Sequence, residues 1–150
     1  SNKFKVELVG ANVLDLFSGV GSFGIECLSR GANKVIFAEN YKSVLPVLKK
    51  NLDGLKSSNN YKILEEDIYE KNSLLMLGEL FDIIFLDPPY KDKNLNKIFA
   101  TIQIGNILKK NGIIILHRHK KEKDFLPFNF KIVEEKTYGI SKISFINLLG

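Results

Sequence analysis

A single cysteine, Cys27, stands in the whole chain, so neither an intrachain disulfide nor a cysteine-rich metal site can form. No apolar run approaches the ~20 residues that span a bilayer. No internal repeat or low-complexity segment breaks the pattern. The sequence does not open with a charged segment, an apolar stretch and a small-residue cleavage site, and the cytoplasm is the expected compartment. Arginine is nearly missing: almost all of the 22 Lys+Arg are lysines, and against 17 Asp+Glu they leave a net charge of +5. That balance is compatible with a nucleic-acid partner, and equally with the codon bias of an AT-rich genome. What is present suffices for one domain with one core: 150 residues, 45% of them hydrophobic. Cys27 falls within a predicted helix and reads as a small buried hydrophobe.

The pattern alternates between strand and helix. Apolar runs predict strands at 12–16, 34–38, 61–65, 82–86 and 112–116. Helices are expected at 21–30, about 43–55, 69–77 and 94–110. Pro46 is tolerable in the second if Ser43 caps it, because first-turn N–H groups lack partners. Lys109 and Lys110 suit the C-terminal dipole of the last helix, with Asn111-Gly112 ending it. Residues 130–137 and 142–148 read as two strands joined through Tyr138-Gly139, too close for a crossover and therefore an antiparallel hairpin. The expected fold is α/β: a doubly wound, mostly parallel sheet with an antiparallel edge.

Two stretches carry chemistry. In the first, Val13-Leu14-Asp15-Leu16-Phe17-Ser18-Gly19-Val20-Gly21-Ser22-Phe23-Gly24 runs from a strand through a glycine turn into a helix. Glycines there permit a tight turn and close backbone approach to a ligand. Glu39, 20 residues after Gly19, ends the next strand and can accept hydrogen bonds from ribose hydroxyls. A nicotinamide dinucleotide and S-adenosylmethionine both fit this layout. Asp15 favours the second, because its carboxylate can face a methionine ammonium and would repel a pyrophosphate. Asp67, after the third strand, is a candidate reader of the adenine amine, and also an ordinary loop acid.

In the second stretch, Asp87-Pro88-Pro89-Tyr90 follows an apolar strand, at the edge where open α/β sheets bind ligands. An exocyclic amine on a nucleobase is a poor nucleophile, because its lone pair is delocalised into the ring. The Asp87 carboxylate and Pro88 carbonyl are expected to accept its N–H bonds, held in place by the rigid prolines. Tyr90 is expected to stack on the base, a contact worth ~1–3 kcal/mol. Methyl transfer from a sulfonium would then need no strong base. Lys91 and Lys93 are candidates for phosphates around a flipped base, or plain surface lysines. His117 and His119 lack an evident third ligand and read as solvated loop residues, so no metal is expected.

These residues resemble the RsmD-type methyltransferases. The resemblance is carried by residues 13–26, the run Leu28-Ser29-Arg30-Gly31-Ala32, Glu39, Asn51-Leu52, Asp87 to Tyr90, and the closing Glu135-Lys136-Thr137-Tyr138-Gly139. It implies a class I S-adenosylmethionine-dependent methyltransferase (Rossmann-like) with a seven-stranded sheet. The implied reaction is methylation of a guanine N2 amine in 16S ribosomal RNA, on RNA or a small-subunit particle. By that resemblance Gly19, Gly21 and Glu39 hold the cofactor, with Asp15, Phe17, Ser18, Asn40 and Ile68 beside them. Asp67 lies near the adenine, and Asp87, Pro88, Pro89 and Tyr90 form the catalytic loop. Residues 1–150 are expected to be the methyltransferase domain, with the family's basic N-terminal segment largely absent before Gly10. The alternatives are an adenine-N6 methyltransferase on DNA or RNA, a nicotinamide oxidoreductase, and an inactive RNA-binding assembly factor.

Overall fold

Continuous apolar runs form strands buried on both faces, as a parallel sheet requires. The structure is a computed structural model that describes residues 6–55, 60–89 and 94–150. Five strands alternate with four helices: β1 (Asn12–Leu16), α1 (Ser22–Ser29), β2 (Lys34–Ala38), α2 (Leu45–Asp53), β3 (Tyr61–Leu64), α3 (Lys71–Leu75), β4 (Phe81–Leu86), α4 (Leu95–Gly105) and β5 (Leu108–His119). The hairpin β6 (Phe130–Tyr138) and β7 (Ser141–Leu148) follows. The sheet order is β3-β2-β1-β4-β5-β7-β6, parallel from β3 through β5 and antiparallel from there on. The chain winds outward in one direction from β1 and in the other from β4. These neighbours therefore define the switch point where a crevice opens at the strands' C-terminal ends.

Each face of the sheet has its own core. On one, Cys27 of α1 and Leu45, Leu48 and Leu52 of α2 cover Val13, Val35, Phe37 and Ile83. On the other, Leu74 of α3 and Ile98, Phe99 and Ile102 of α4 cover Leu14, Ile36, Ile84 and Ile114. Burial pushes the Cys27 thiol up to about 12, leaving it a packing residue. No helix among the described residues is long and apolar enough to cross a membrane.

The last helix and the fifth strand depart from expectation. Asn106 adopts a left-handed conformation (φ 50°) and ends α4 at Gly105, five residues before Lys110. Lys109 therefore serves no helix dipole and pairs instead with Asp82, 3.2 Å away. Asn111-Gly112 marks a bulge: Leu108 pairs with Phe81, and pairing resumes only at Ile113 with Ile83. Strand β5 also runs on to His119, so His117 and His119 are strand residues, not loop residues. Ser43 does not cap α2: Val44 holds that position without a side-chain bond, and Pro46 sits in the first turn.

One close approach sets the geometry of the crevice. A Cβ on Gly24 would lie 2.3 Å from Cε1 of the buried Phe37 ring and 2.9 Å from Val35 Cγ1. Gly24→Ala should therefore force α1 off β2 and destabilise the fold by about 1–3 kcal/mol, the usual cost of overpacking. Urea denaturation of the two proteins measures this difference directly.

Candidate active site

The C-terminal ends of β1, β2 and β4 bring three acids to the switch point. Asp15 is the penultimate residue of β1 and is 1% exposed. Its Oδ2 accepts the Gly24 N–H of α1 at 3.2 Å, while its Oδ1 has no partner. Burial raises its pKa to about 8; the Gly24 N–H opposes this, and Asp87 and Glu39 add to it by like-charge repulsion.

The glycine turn is built around Glu39. Phe17, Gly19 and Gly21 all have positive φ (59°, 56° and 91°). At Gly21 a Cβ would also lie 2.6 Å from Leu48 Cδ1, so only glycine serves there. Glu39 Oε1 accepts the Gly19 N–H at 2.8 Å and Oε2 accepts the Tyr41 N–H at 3.0 Å. Ser18 donates its backbone N–H to Ala38 O at 3.1 Å. Asn51 of α2 donates its side-chain N–H to Val20 O at 2.8 Å, tying the turn from behind.

Phe17, Glu39, Asn40, Asp67 and Ile68 line one recess, together with Ala38, Glu66 and Tyr69. Its volume is about 30 Å³, room for about one water. The Phe17 and Tyr69 rings lie 5.8 Å apart across it, so a purine enters only if that contact opens. Asp67 Oδ1 accepts the Tyr69 N–H at 2.9 Å, which makes its carboxylate part of the turn that shapes the recess.

Asp87, just past β4, is exposed, Pro88 is buried and Pro89 is exposed. The Asp87 N–H donates to Leu16 O at 3.4 Å, fastening the corner to β1. Asp87 Oδ1 lies 2.9 Å from His117 Nδ1 on β5. Tyr90, Lys91 and Lys93 lie outside the described residues. The structure thus gathers the expected acids, glycine turn and proline corner on one edge, and adds Glu66, Tyr69 and His117. Strand alternation was the available signal for His117, which continues the side of Ile113 and Ile115. His119 Nδ1 accepts the Lys121 N–H at 3.1 Å. Among the described residues, no group of three or more His, Cys, Asp or Glu is placed to hold a metal ion.

A family described as conserved hypothetical protein 95, the RsmD family, matches residues 2–147. The chain belongs to this family. A relative in Haemophilus influenzae, named ribosomal RNA small subunit methyltransferase D, is 37% identical over 132 residues. That match covers 85% of this chain and 66% of the relative, so the chain spans just under two thirds of that protein's length. Among solved structures, a putative methylase from Haemophilus influenzae is 32% identical with a TM-score of 0.78, covering 95% of this chain and 89% of that one. A more distant putative methyltransferase, complexed with SAH, is 16% identical with a TM-score of 0.75, covering 93% of this chain and 46% of its own; it speaks for the fold alone. The RsmD-family chain has the class I methyltransferase fold, a seven-stranded mixed sheet, mostly parallel.

Asp15 makes stability depend on pH. The folded protein holds this proton up to about pH 8, whereas the unfolded aspartate releases it near 3.8. The folded state binds more protons between those values, so the contribution is fully present below pH 3.8 and is lost as pH rises to about 8. Asp15→Asn should abolish this part of the decline, gaining stability over the parent as pH rises. Urea unfolding at a series of pH values measures it.

Proposed function

We propose that this chain transfers a methyl group from S-adenosyl-L-methionine to the exocyclic N2 amine of a guanine in small-subunit (16S) ribosomal RNA. The observation that carries this reading is the buried Asp15 carboxyl, one oxygen unpartnered, at the same switch point as the Asp87-Pro88 corner. The name of the Haemophilus relative, a ribosomal RNA small subunit methyltransferase, supports methyl transfer to ribosomal RNA.

The residues present fit that cofactor. An unpartnered buried carboxyl oxygen is costly unless a donor or cation meets it, and a methionine ammonium supplies both. Open space beside Gly19 lets a ligand approach the backbone. Glu39, with each oxygen already taking one backbone N–H, retains lone pairs for ribose hydroxyls. Asp67 and Ile68 border the adenine side. When bound, S-adenosyl-L-methionine supplies an electrophilic methyl group on a sulfonium.

The substrate side is the work of the corner. Asp87 Oδ2 and the Pro88 carbonyl accept the two amine N–H bonds, turning the nitrogen lone pair toward the methyl group. Pro88 and Pro89 keep those acceptors fixed, and Tyr90 stacks on the flipped base. As the N–CH3 bond forms, the S–CH3 bond would break to leave a thioether, and the amine proton would then pass to solvent, so Asp87 acts as an acceptor and orienter. No metal takes part. The whole chain, 1–150, works as one methyltransferase domain in the cytoplasm, on RNA or an assembled particle.

Labelled methyl donor, incubated with undermethylated small-subunit particles or free 16S RNA, should mark a guanine N2 when the product is mapped by mass spectrometry. Label on adenine N6 would overturn the assignment. Asp87→Ala should lower kcat by about 10²–10³-fold, the usual loss for an acceptor or donor that acts in the transition state. Because Asp15 must give up its proton to receive a cation, affinity for the cofactor should rise as pH approaches about 8. Calorimetry in buffers of different ionisation enthalpy would report the released proton.

A further inference from the structure

We propose that His117 is a positioning residue that fixes the Asp87 carboxylate for the incoming nucleobase amine. The inference rests on the methyl-transfer reading. It begins with a contact no motif announces: His117 Nδ1 stands 2.9 Å from Asp87 Oδ1, across the β4–β5 pair and 30 positions away in sequence. Both side chains are partly open to solvent, at 32% and 47% of their full exposure. The contact therefore lies at the mouth of the site, where substrate can reach it.

An aspartate side chain turns almost freely about its terminal torsion, whose preference is broad and roughly two-fold. A carboxylate 2.9 Å from a ring nitrogen can only accept, so Nδ1 carries the proton and donates. That bond takes one oxygen and leaves Oδ2 for the amine. The backbone that carries the ring is anchored: β5 pairs with β7 at this level, His117 opposite Ile143. His117 shares the lining of an apolar cavity of about 520 Å³ with Phe23, Phe85, Ile115, Ile143 and Phe145. On β5's opposite face, Arg118 is buried and paired with Asp124 at 3.0 Å, which ties the segment after β5 back to the strand. A charge-assisted bond from a donor on a paired strand lowers the ordering entropy lost when substrate binds.

The test separates positioning from mere packing. His117→Leu keeps the bulk and removes the donor; His117→Asn keeps an N–H near the Nδ1 position. His117→Leu should reduce kcat about ten- to hundredfold, the range for a misplaced reacting group, with KM for RNA and cofactor affinity within about twofold, since this residue adds no uniform binding. His117→Asn should recover most of that loss. Imidazole ¹⁵N shifts of the parent should show the Nδ1–H form, changing to Nε2–H in Asp87→Ala. An unchanged kcat in His117→Leu, an equal loss in both variants, or a parent ring protonated on Nε2 alone overturns the proposal and leaves methyl transfer standing. No transfer by the parent protein overturns the methyl-transfer reading and this inference with it.

Discussion

A carboxyl group sits inside an apolar sheet with a single backbone N–H for company, and the arrangement around it follows from that fact. Asp15 lies between the ends of β2 and β4, level with Phe37 and Phe85. Its one partner, the Gly24 N–H, reaches it only because α1 approaches β2 closely enough to forbid a Cβ on Gly24. The tight glycine turn delivers α1 at that distance. Glu39 holds the turn, and Asn51 braces it from α2. The empty fold keeps the proton on Asp15 by burial, at the cost of leaving one oxygen unsatisfied. On the proposed reading, that unmet demand is what a bound cation would satisfy.

The sheet divides the labour along the switch point. Strands β1, β2 and β3 carry the acids and glycines suited to a nucleoside-bearing cation. Strands β4 and β5 carry the proline corner and the histidine beside it. The β1–β4 ladder joins the two halves, and just beyond it the Asp87 N–H to Leu16 O bond fastens the corner to β1. The corner therefore moves with the strand that ends in the glycine turn, and its spacing from the cofactor side is set by sheet geometry.

Much of this was legible in the sequence, for physical reasons that differ by element. Strands β1 and β2 begin and end where the apolar runs do, because five-residue apolar runs between polar or glycine breaks are too short for buried helices. The order of strand, glycine turn, helix, strand and acid located Asp15, Gly19, Gly21 and Glu39 for the same reason. The end of α4 misled. A helix through Leu108 to Lys110 was expected, but Leu108 lies off the face of Ile98, Phe99 and Ile102, and the chain turns left-handed at Asn106, directly after Gly105. The Asn-Gly pair was read as a helix stop, yet it bulges a strand, since the same residues serve both turns. His117 was hidden differently: its partner is fixed by the β4–β5 register, a property of two distant segments at once.

Charge is sorted between the two ends of the sheet. At the rear, Asp82 is met by Lys109 and the Asn12 N–H, and Lys34 pairs with Glu79. At the front, among the described residues, neither Glu39 nor Asp67 nor Asp87 has a lysine or arginine within pairing distance. The chain is basic overall, +5, yet its crevice is acidic, with Lys120, Lys121 and Lys123 exposed just beyond β5. On the proposed reading, such a mouth would draw in a small cation and turn back a polyanion's backbone, leaving it on the lysine rim. A nucleic acid could then send inward only an uncharged part of itself: a base swung out of its strand, its phosphates left outside.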